Sequence, residues 1–464
     1  MFNLNLNLSY QNIHFRHPSS SSSSPIPLPT LPPGISRSFI PTPHGDLEIL
    51  HTSPSPSTSS QQPALFFIHG GMGSASVWLE YLTFFSAQDD PKIPCYAISM
   101  RGHGGSWYPS YLRMVYGTTK GDLAGDVVEG IKWAVGRERE RLGLGHQEGN
   151  VRGASGDGKE RGDVERGKEE EVEMILVGHS AGGGQAQYIL SSADLLSGLG
   201  VKVKGLVLMG AMPGFGSLPV YLNWFALDPL FTLRLLLHLW HPNSPLSHPS
   251  LVRRIFFSSN QLPDSYLSRF MSFMNRYESL LWPLGMCYSF ANPEKVLLQI
   301  SGWGSETSIR TQTPGKRQRQ ERVLVIAGEQ DVIMTQPIMQ RLAGWRLVEG
   351  KKIDGAVVRE EDETVEEEIE RDDGIEVEGS GGSSKDTTGM GVRYAIVPGA
   401  GHHCQNDVGT RFHAPSAPIP NLLLLSFIAS ALSSDRLSTS LSYVGIKPNS
   451  ETERYTYNPM RTQK

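Results

Sequence analysis

The architecture of this chain is clearest in the segment Glu173-Met-Ile-Leu-Val-Gly178-His179-Ser180-Ala181-Gly182-Gly183-Gly184. It begins with an apolar run typical of a buried strand and ends with small residues that suit a closely packed helix. Between them lies the pattern Gly-x-Ser-x-Gly, in which Gly178 and Gly182 leave the space that a sharp strand-to-helix turn requires. Ser180 is therefore a candidate nucleophile, although the same pattern can mark a serine that only caps a helix.

Apolar runs and helical patterns alternate on both sides of this motif. The runs that predict strands span residues 64–69, 93–100, 174–178, 203–210, 323–327 and 393–397. The turn signal His44-Gly45-Asp46, between residues 35–42 and 47–52, predicts an opening hairpin. Such alternation indicates an α/β fold with a doubly wound, mostly parallel sheet covered by helices on both faces.

Two later strands end in residues that could activate Ser180. The first runs into Gly328-Glu329-Gln330-Asp331, and the second runs into Gly401-His402-His403. Because the carboxyl ends of parallel strands meet at one edge of a sheet, we expect Asp331 to orient His402, and His402 to remove the serine proton. Asp331 could instead cap a helix. Glu329 is a weaker alternative for the acid, and His403 is a weaker alternative for the base.

An acyl-transfer site also needs hydrogen-bond donors for a developing oxyanion. The run Phe66-Phe67-Ile68-His69-Gly70-Gly71-Met72-Gly73 reads as a strand followed by a glycine-rich turn. We expect the backbone amides of Gly71 and Ala181 to form the oxyanion hole, with Met72 as a further candidate. The alternative is that this turn only connects a strand to a helix.

Taken in order, these motifs resemble those of the α/β-hydrolase superfamily, and Arg101-Gly-His-Gly-Gly-Ser106 adds to the resemblance. The resemblance covers about residues 35–432 apart from insertions. It implies a Ser-Asp-His mechanism and a cap after the sixth strand. A serine nucleophile argues against the branches that use a carboxylate, namely epoxide hydrolases and haloalkane dehalogenases. Ser99 departs from the pattern, because many relatives have Asp there, and this puts a structural contact in doubt.

Composition divides the chain further. We expect a disordered tail at 1–34, a first part of the hydrolase core at 35–212 with a charged insertion at 137–171, a helical cap at 213–320, a second part of the core at 321–435 with an acidic insertion at 348–391, and a C-terminal tail at 436–464. The cap is rich in aromatic, Leu and Met residues. Most of them should pack against the sheet, while others line an apolar chamber above Ser180.

Charge and cysteine content exclude several classes of protein. A net charge of −5 provides no overall field for nucleic acid, and three widely spaced cysteines fit a reducing compartment. The apolar stretch 222–240 contains Asn223, Asp228 and Arg234, so we expect no transmembrane segment. The N-terminus lacks the apolar run of a secretory signal, which favours a cytoplasmic location, with mitochondria as the alternative.

The sequence thus predicts a serine hydrolase that cleaves an ester, thioester or amide of a small, largely apolar substrate through an acyl-enzyme. No metal or organic cofactor is expected. Two alternatives remain open. The same triad could hydrolyse a carbon–carbon bond next to a ketone, or the chain could be a non-catalytic hydrolase-fold protein that binds a ligand under its cap.

Overall fold

A computed structural model of the chain describes residues 6–17, 28–52, 62–87, 93–144, 171–258, 262–303, 321–344, 384–386, 391–404, 407, 423–424 and 427–428. The predicted C-terminal tail lies outside these residues. So do most of the two predicted insertions and residues 304–320 of the predicted cap.

In the described parts of the chain, nine strands form one sheet: β1 (Ile35–Ile40), β2 (Leu47–Thr52), β3 (Ala64–Ile68), β4 (Cys95–Ile98), β5 (Val172–His179), β6 (Val201–Met209), β7 (Val323–Gly328), β8 (Ser384–Asp386) and β9 (Val392–Val397). Their spatial order is β1-β2-β4-β3-β5-β6-β7-β9-β8. The six strands from β4 to β9 in this order run parallel. Strands β1, β2 and β8 pair antiparallel with their neighbours. The predicted mostly parallel α/β sheet and its opening hairpin are confirmed.

Eleven α-helices occur among the described residues: α1 (Leu79–Ser86), α2 (Tyr111–Gly117), α3 (Lys120–Leu142), α4 (Ala181–Ser191), α5 (Leu218–Leu227), α6 (Phe231–Leu237), α7 (Pro249–Phe256), α8 (Asp264–Ser272), α9 (Leu281–Leu284), α10 (Pro293–Leu298) and α11 (Gln336–Ala343). Helices α5 to α10 occupy the segment predicted as a cap. None of the described helices is by itself long and apolar enough to cross a membrane, and α5 with α6 meets that test only as a pair bent by 87°.

The core lies on both faces of the sheet. Successive side chains of a strand point to opposite faces, and β3 shows the result. Phe66 packs into a buried cluster with Val127 of α3, whereas Phe67 packs into a second cluster, with its ring centroid 4.9 Å from that of Trp78. Both faces of the central strands are therefore covered, as in a doubly wound fold.

Helix α3 runs further than the sequence predicts. It starts at a capping box between Thr119 and Asp122, and its last six residues, 137–142, lie within the predicted charged insertion. Glu138 explains the extension, since its buried carboxylate accepts a hydrogen bond from the Tyr96 hydroxyl at 2.5 Å and pairs with Arg141 at 2.7 Å. Charged residues that satisfy one another can thus continue a packed helix.

Residues 6–17 belong to the segment predicted as a disordered tail, and the structure places them against residues of the predicted cap. The buried guanidinium of Arg234 in α6 donates a hydrogen bond to the carbonyl of Leu6 at 2.9 Å. His241 is 2.9 Å from the carbonyl of His14. The segment therefore supplies backbone acceptors for buried polar groups of the cap, which composition alone does not reveal.

Ser99 makes its contacts with a carboxylate from another strand. Its hydroxyl donates to Glu48 Oε2 at 2.8 Å and accepts from the Ala75 amide at 2.9 Å. Glu48 also accepts from the Gly105 amide at 2.8 Å. The carboxylate of Glu48 thus lies beside Ser99, the position where the resemblance leads us to expect Asp.

Candidate active site

Ser180 lies on a sharp turn between β5 and α4. Its backbone has φ 52° and ψ −125°, a conformation that residues other than glycine rarely adopt. A Cβ on Gly178 would come within 2.5 Å of Gly183 Cα, and one on Gly182 would overlap the carbonyl oxygens of Ile68 and His69. The two glycines of the motif therefore have no room for a side chain, and they allow the turn to pack against the end of β3.

The structure brings Ser180, Asp331 and His402 together. His402 Nε2 lies 3.0 Å from Ser180 Oγ, and His402 Nδ1 lies 2.9 Å from Asp331 Oδ2. Because an ionised carboxylate can only accept, Nδ1 donates to Asp331, and this leaves the lone pair of Nε2 facing the serine hydroxyl. The other oxygen of Asp331 accepts from the amides of Ile333 and Met334 at 3.0 and 2.8 Å. The carboxylate is therefore fixed on both sides.

The two alternative residues have other contacts. Glu329 is exposed, and its carboxylate accepts from the Gly399 amide at 2.6 Å. His403 is buried among the rings of Phe256, Phe257 and Phe270. Burial lowers the pKa of His403 well below its usual value, with a smaller contribution from the neighbouring histidines. His403 is thus a neutral packing residue in this structure.

His179, inside the serine motif, supports the loop that carries His402. Its Nε2 is 3.0 Å from the carbonyl of His402, so this nitrogen carries a proton and donates. Burial, followed by the proximity of His402, lowers the pKa of His179 to about 3. Its Nδ1 is buried without a hydrogen-bond partner among the described residues. A second imidazole thus holds the main chain at His402.

The glycine-rich turn after β3 packs directly on the serine. A Cβ on Gly70 would lie 2.8 Å from Ser180 Cβ. Gly71, Met72 and Ala181, the predicted oxyanion donors, all line the cavity that contains Ser180. The Met72 amide, however, donates to Glu278 Oε2 at 2.8 Å. Since this N–H has an acceptor, the structure removes Met72 from the predicted donors and leaves the amides of Gly71 and Ala181.

Sequence reasoning missed three polar residues next to these loops. Glu278, from the cap, is 2.9 Å from His103 Nε2. Burial opposes ionisation of both, yet Glu278 raises the pKa of His103, and His103 in turn lowers the pKa of Glu278. Asp407 accepts from the amides of Gly401 and Ser258 at 2.7 and 2.9 Å. His103 lies within a quoted motif, whereas no local pattern distinguishes Glu278 or Asp407.

A cavity of about 520 Å³ opens above Ser180 and His402. Aromatic and leucine side chains of the predicted cap line it, among them Trp224, Phe225, Phe231, Leu280, Trp282 and Leu284. An adjacent cavity of about 370 Å³ shares Gly71 and Met72 with it and is lined by Phe270, Phe273 and Met274 of the predicted cap. The larger cavity is therefore apolar above and polar at its base, where the serine lies.

No group of three or more His, Cys, Asp or Glu side chains within the described parts of the chain could hold a metal ion. The Ser180 hydroxyl and the His402 imidazole lie at the base of the cavity, with Asp331 hydrogen-bonded to His402.

Comparison with known proteins adds a family. A model of a family described as the alpha/beta hydrolase family matches residues 65–413. A search of curated proteins found no significant match.

Several solved structures are similar. Carboxylesterase CesB (YbfK) from Bacillus subtilis is 14% identical with a TM-score of 0.42, over 86% of this chain and 92% of that chain. MGS-M2, an alpha/beta hydrolase enzyme from a Medee basin deep-sea metagenome library, is 11% identical with a TM-score of 0.43, over 84% and 97%. The 2-hydroxy-6-oxo-6-phenylhexa-2,4-dienoate hydrolase (BphD) from Rhodococcus sp. strain RHA1 is 15% identical with a TM-score of 0.37, over 86% and 99%. Likeness of this degree says nothing about activity.

Proposed function

This chain belongs to the alpha/beta hydrolase family, and on that premise we propose that it is a serine hydrolase acting on an ester, thioester or amide of a small, largely apolar compound. One observation carries the proposal. Ser180, His402 and Asp331 form a continuous line of hydrogen bonds of 3.0 and 2.9 Å at the base of an apolar cavity. A histidine held in this way between a hydroxyl and a carboxylate is the arrangement that turns a serine into a nucleophile.

In the proposed mechanism, Ser180 Oγ attacks the substrate carbonyl while His402 Nε2 takes its proton. Asp331 keeps the imidazole oriented and stabilises the imidazolium that forms. The amides of Gly71 and Ala181 donate to the oxyanion of the tetrahedral intermediate, and Ala181 is also the first residue of α4, whose N-terminal dipole favours negative charge. His402 then returns the proton to the leaving group, and water hydrolyses the acyl-enzyme.

The cavity supports an apolar acyl group. Its upper walls come from aromatic and aliphatic side chains of the cap. Each buried methylene contributes about 0.8 kcal/mol to binding, so kcat/KM should rise from acetyl toward hexanoyl or aromatic acyl esters. Strongly charged acyl groups should be rejected, because desolvating a charge without a partner is unfavourable. Preference for acetyl or charged groups would contradict this specificity.

The test is labelling with a fluorophosphonate probe, followed by a series of p-nitrophenyl esters. Wild-type protein should be labelled at Ser180 and should hydrolyse the longer esters, while Ser180→Ala should do neither. Hydrolysis of a ketone substrate without ester turnover would favour carbon–carbon cleavage by the same triad. Absence of both labelling and turnover, with ligand binding retained, would favour a non-catalytic binding protein.

A further inference from the structure

Met72 adopts an unusual backbone conformation beside the proposed oxyanion hole. Its φ is 62°, in the left-handed region that favours glycine. A residue with a side chain is strained in this conformation, which persists only where surrounding contacts hold it. Its amide nitrogen belongs to the peptide unit that directly follows Gly71, so whatever fixes Met72 also fixes the chain on one side of a proposed oxyanion donor.

Glu278 provides that contact from the cap. Its Oε2 accepts from the Met72 amide at 2.8 Å and from His103 Nε2 at 2.9 Å, with Asn275 Nδ2 at 3.4 Å. Its Oε1 accepts from the Ser279 amide at 2.8 Å. The residue is only 5% exposed, so these bonds are shielded from water. One carboxylate thus joins the cap to the loops that follow β3 and β4.

The position of this carboxylate matters for charge as well as for shape. Glu278 lines the same cavity as Ser180, and its Oε2 lies 3.8 Å from where a Cβ on Gly71 would be. An uncompensated negative charge there would repel an oxyanion. His103 Nδ1 lies 2.8 Å from the Arg101 carbonyl and Nε2 lies 2.9 Å from the Glu278 carboxylate. Because both partners can only accept, both ring nitrogens donate, and the resulting imidazolium compensates the charge of Glu278. The pair can therefore hold the loop without opposing the charge that develops during reaction.

We propose that Glu278 is a positioning residue that holds the oxyanion-hole loop in its reactive conformation, so that Gly71 and Ala181 act together only when the cap is seated on the core. This inference rests on the proposed serine hydrolase activity. It makes the cap part of the catalytic geometry in addition to being the wall of the substrate cavity. Glu278 itself acts through the Met72 peptide and does not contact the reacting atoms.

The experiment compares Glu278→Gln with Glu138→Gln in the full-length protein. Both carboxylates are buried and paired, but Glu138 contacts Tyr96 and Arg141 and does not line the cavity. Glu278→Gln keeps the volume of the side chain, but an amide NH2 group, which cannot accept a hydrogen bond, replaces one of the two carboxylate oxygens. We expect kcat to fall about 100-fold, the lower end of the cost of losing an oxyanion donor, with KM unchanged. Glu138→Gln should lower the melting temperature and leave kcat unchanged.

Two inhibitors distinguish positioning from general damage. An alkyl trifluoromethyl ketone adds to the serine and forms a tetrahedral oxyanion, whereas the parent alkyl methyl ketone binds without doing so. Glu278→Gln should weaken binding of the trifluoromethyl ketone by the same factor as kcat/KM falls. Binding of the methyl ketone should be unchanged. Glu278→Asp, which keeps the charge but shortens the reach to Met72, should show the same selective loss and serves if the glutamine variant does not fold.

Failure of the positioning role of Glu278 can be distinguished from failure of the proposed serine hydrolase activity. If wild-type protein hydrolyses esters and the Glu278 variants lose no more than Glu138→Gln, or weaken both inhibitors equally, the positioning role is wrong and the serine hydrolase stands. If wild-type protein shows neither ester turnover nor trifluoromethyl ketone binding, the proposed function fails, and the positioning role fails with it.

Discussion

Two turns meet at the candidate active site, and each holds a residue other than glycine at positive φ, 52° at Ser180 and 62° at Met72. The turn at Ser180 is bonded to the adjacent strand β6, through a hydrogen bond from its amide to the Met209 carbonyl at 3.0 Å. The turn at Met72 is bonded to Glu278, which is 206 positions away in the chain. The turn of the proposed nucleophile is therefore bonded to the sheet, whereas the proposed oxyanion loop is bonded to a residue of the predicted cap.

The largest loss of activity should come from removing the proposed nucleophile. Ser180→Ala should lower kcat by roughly a million-fold, because the hydroxyl is the atom that forms the bond to substrate. Steady-state hydrolysis of a p-nitrophenyl ester measures the effect. The melting temperature should stay close to that of wild type, since the turn is built by the backbone and by glycines. Retained esterase activity would rule out the proposed mechanism.

The second largest effect should come from the acid that orients the base. Asp331→Asn should lower kcat about 10⁴-fold, because an amide in place of the carboxylate favours the wrong imidazole tautomer. Glu329→Gln is the matched control, since this exposed carboxylate contacts only the Gly399 amide among the described residues. Its activity should be close to wild type. The opposite ranking of the two variants would assign the acid role to Glu329.

A pair of alanine substitutions separates the two sides of the oxyanion loop. A Cβ at Gly70 would lie 2.8 Å from Ser180 Cβ, whereas one at Gly71 would find only Glu278 Oε2 at 3.8 Å. Gly70→Ala should therefore displace the serine, and a shift of about 1 Å can cost roughly 100-fold in kcat/KM. Gly71→Ala should retain most of the activity. Equal losses in the two variants would show that contact with the serine is not what limits this loop.

The smallest expected effect concerns the stability of the Ser180 turn rather than activity. If φ at Ser180 is strained, Ser180→Gly should be more stable than Ser180→Ala by about 1 kcal/mol, because glycine adopts this conformation without a steric penalty. Chemical denaturation of the two inactive variants gives the difference in the free energy of unfolding. A more stable alanine variant would mean that the turn stores no strain at this position.

The sequence predicts those parts of the site that local patterns encode. An apolar strand that runs directly into glycine and polar residues can be recognised within a few consecutive positions. This local pattern predicts Ser180, Asp331 and His402. The sheet order then brings the strand ends together, because β5, β6, β7 and β9 are neighbours. Parallel sheets collect such residues at one edge.

Other parts of the site depend on pairs of residues far apart in the chain. His103 and Glu278 are 175 positions apart, and neither has a local pattern that names its partner. The sequence predicts Met72 as a possible oxyanion donor because the acceptor of its amide, Glu278, is distant in the chain and belongs to the predicted cap. Residues 6–17 also lack a helical or strand period, and their contacts with Arg234 and His241 become visible only in three dimensions.

The distance in sequence between serine and histidine has a consequence for biosynthesis. Ser180 and His402 are 222 positions apart. At a translation rate of about 5–20 residues per second, the ribosome takes roughly 10–45 s to reach the histidine after it has passed the serine. During that interval the growing polypeptide carries the serine without its base. In the proposed mechanism, the nascent chain therefore gains hydrolytic activity only after His402 has been synthesised.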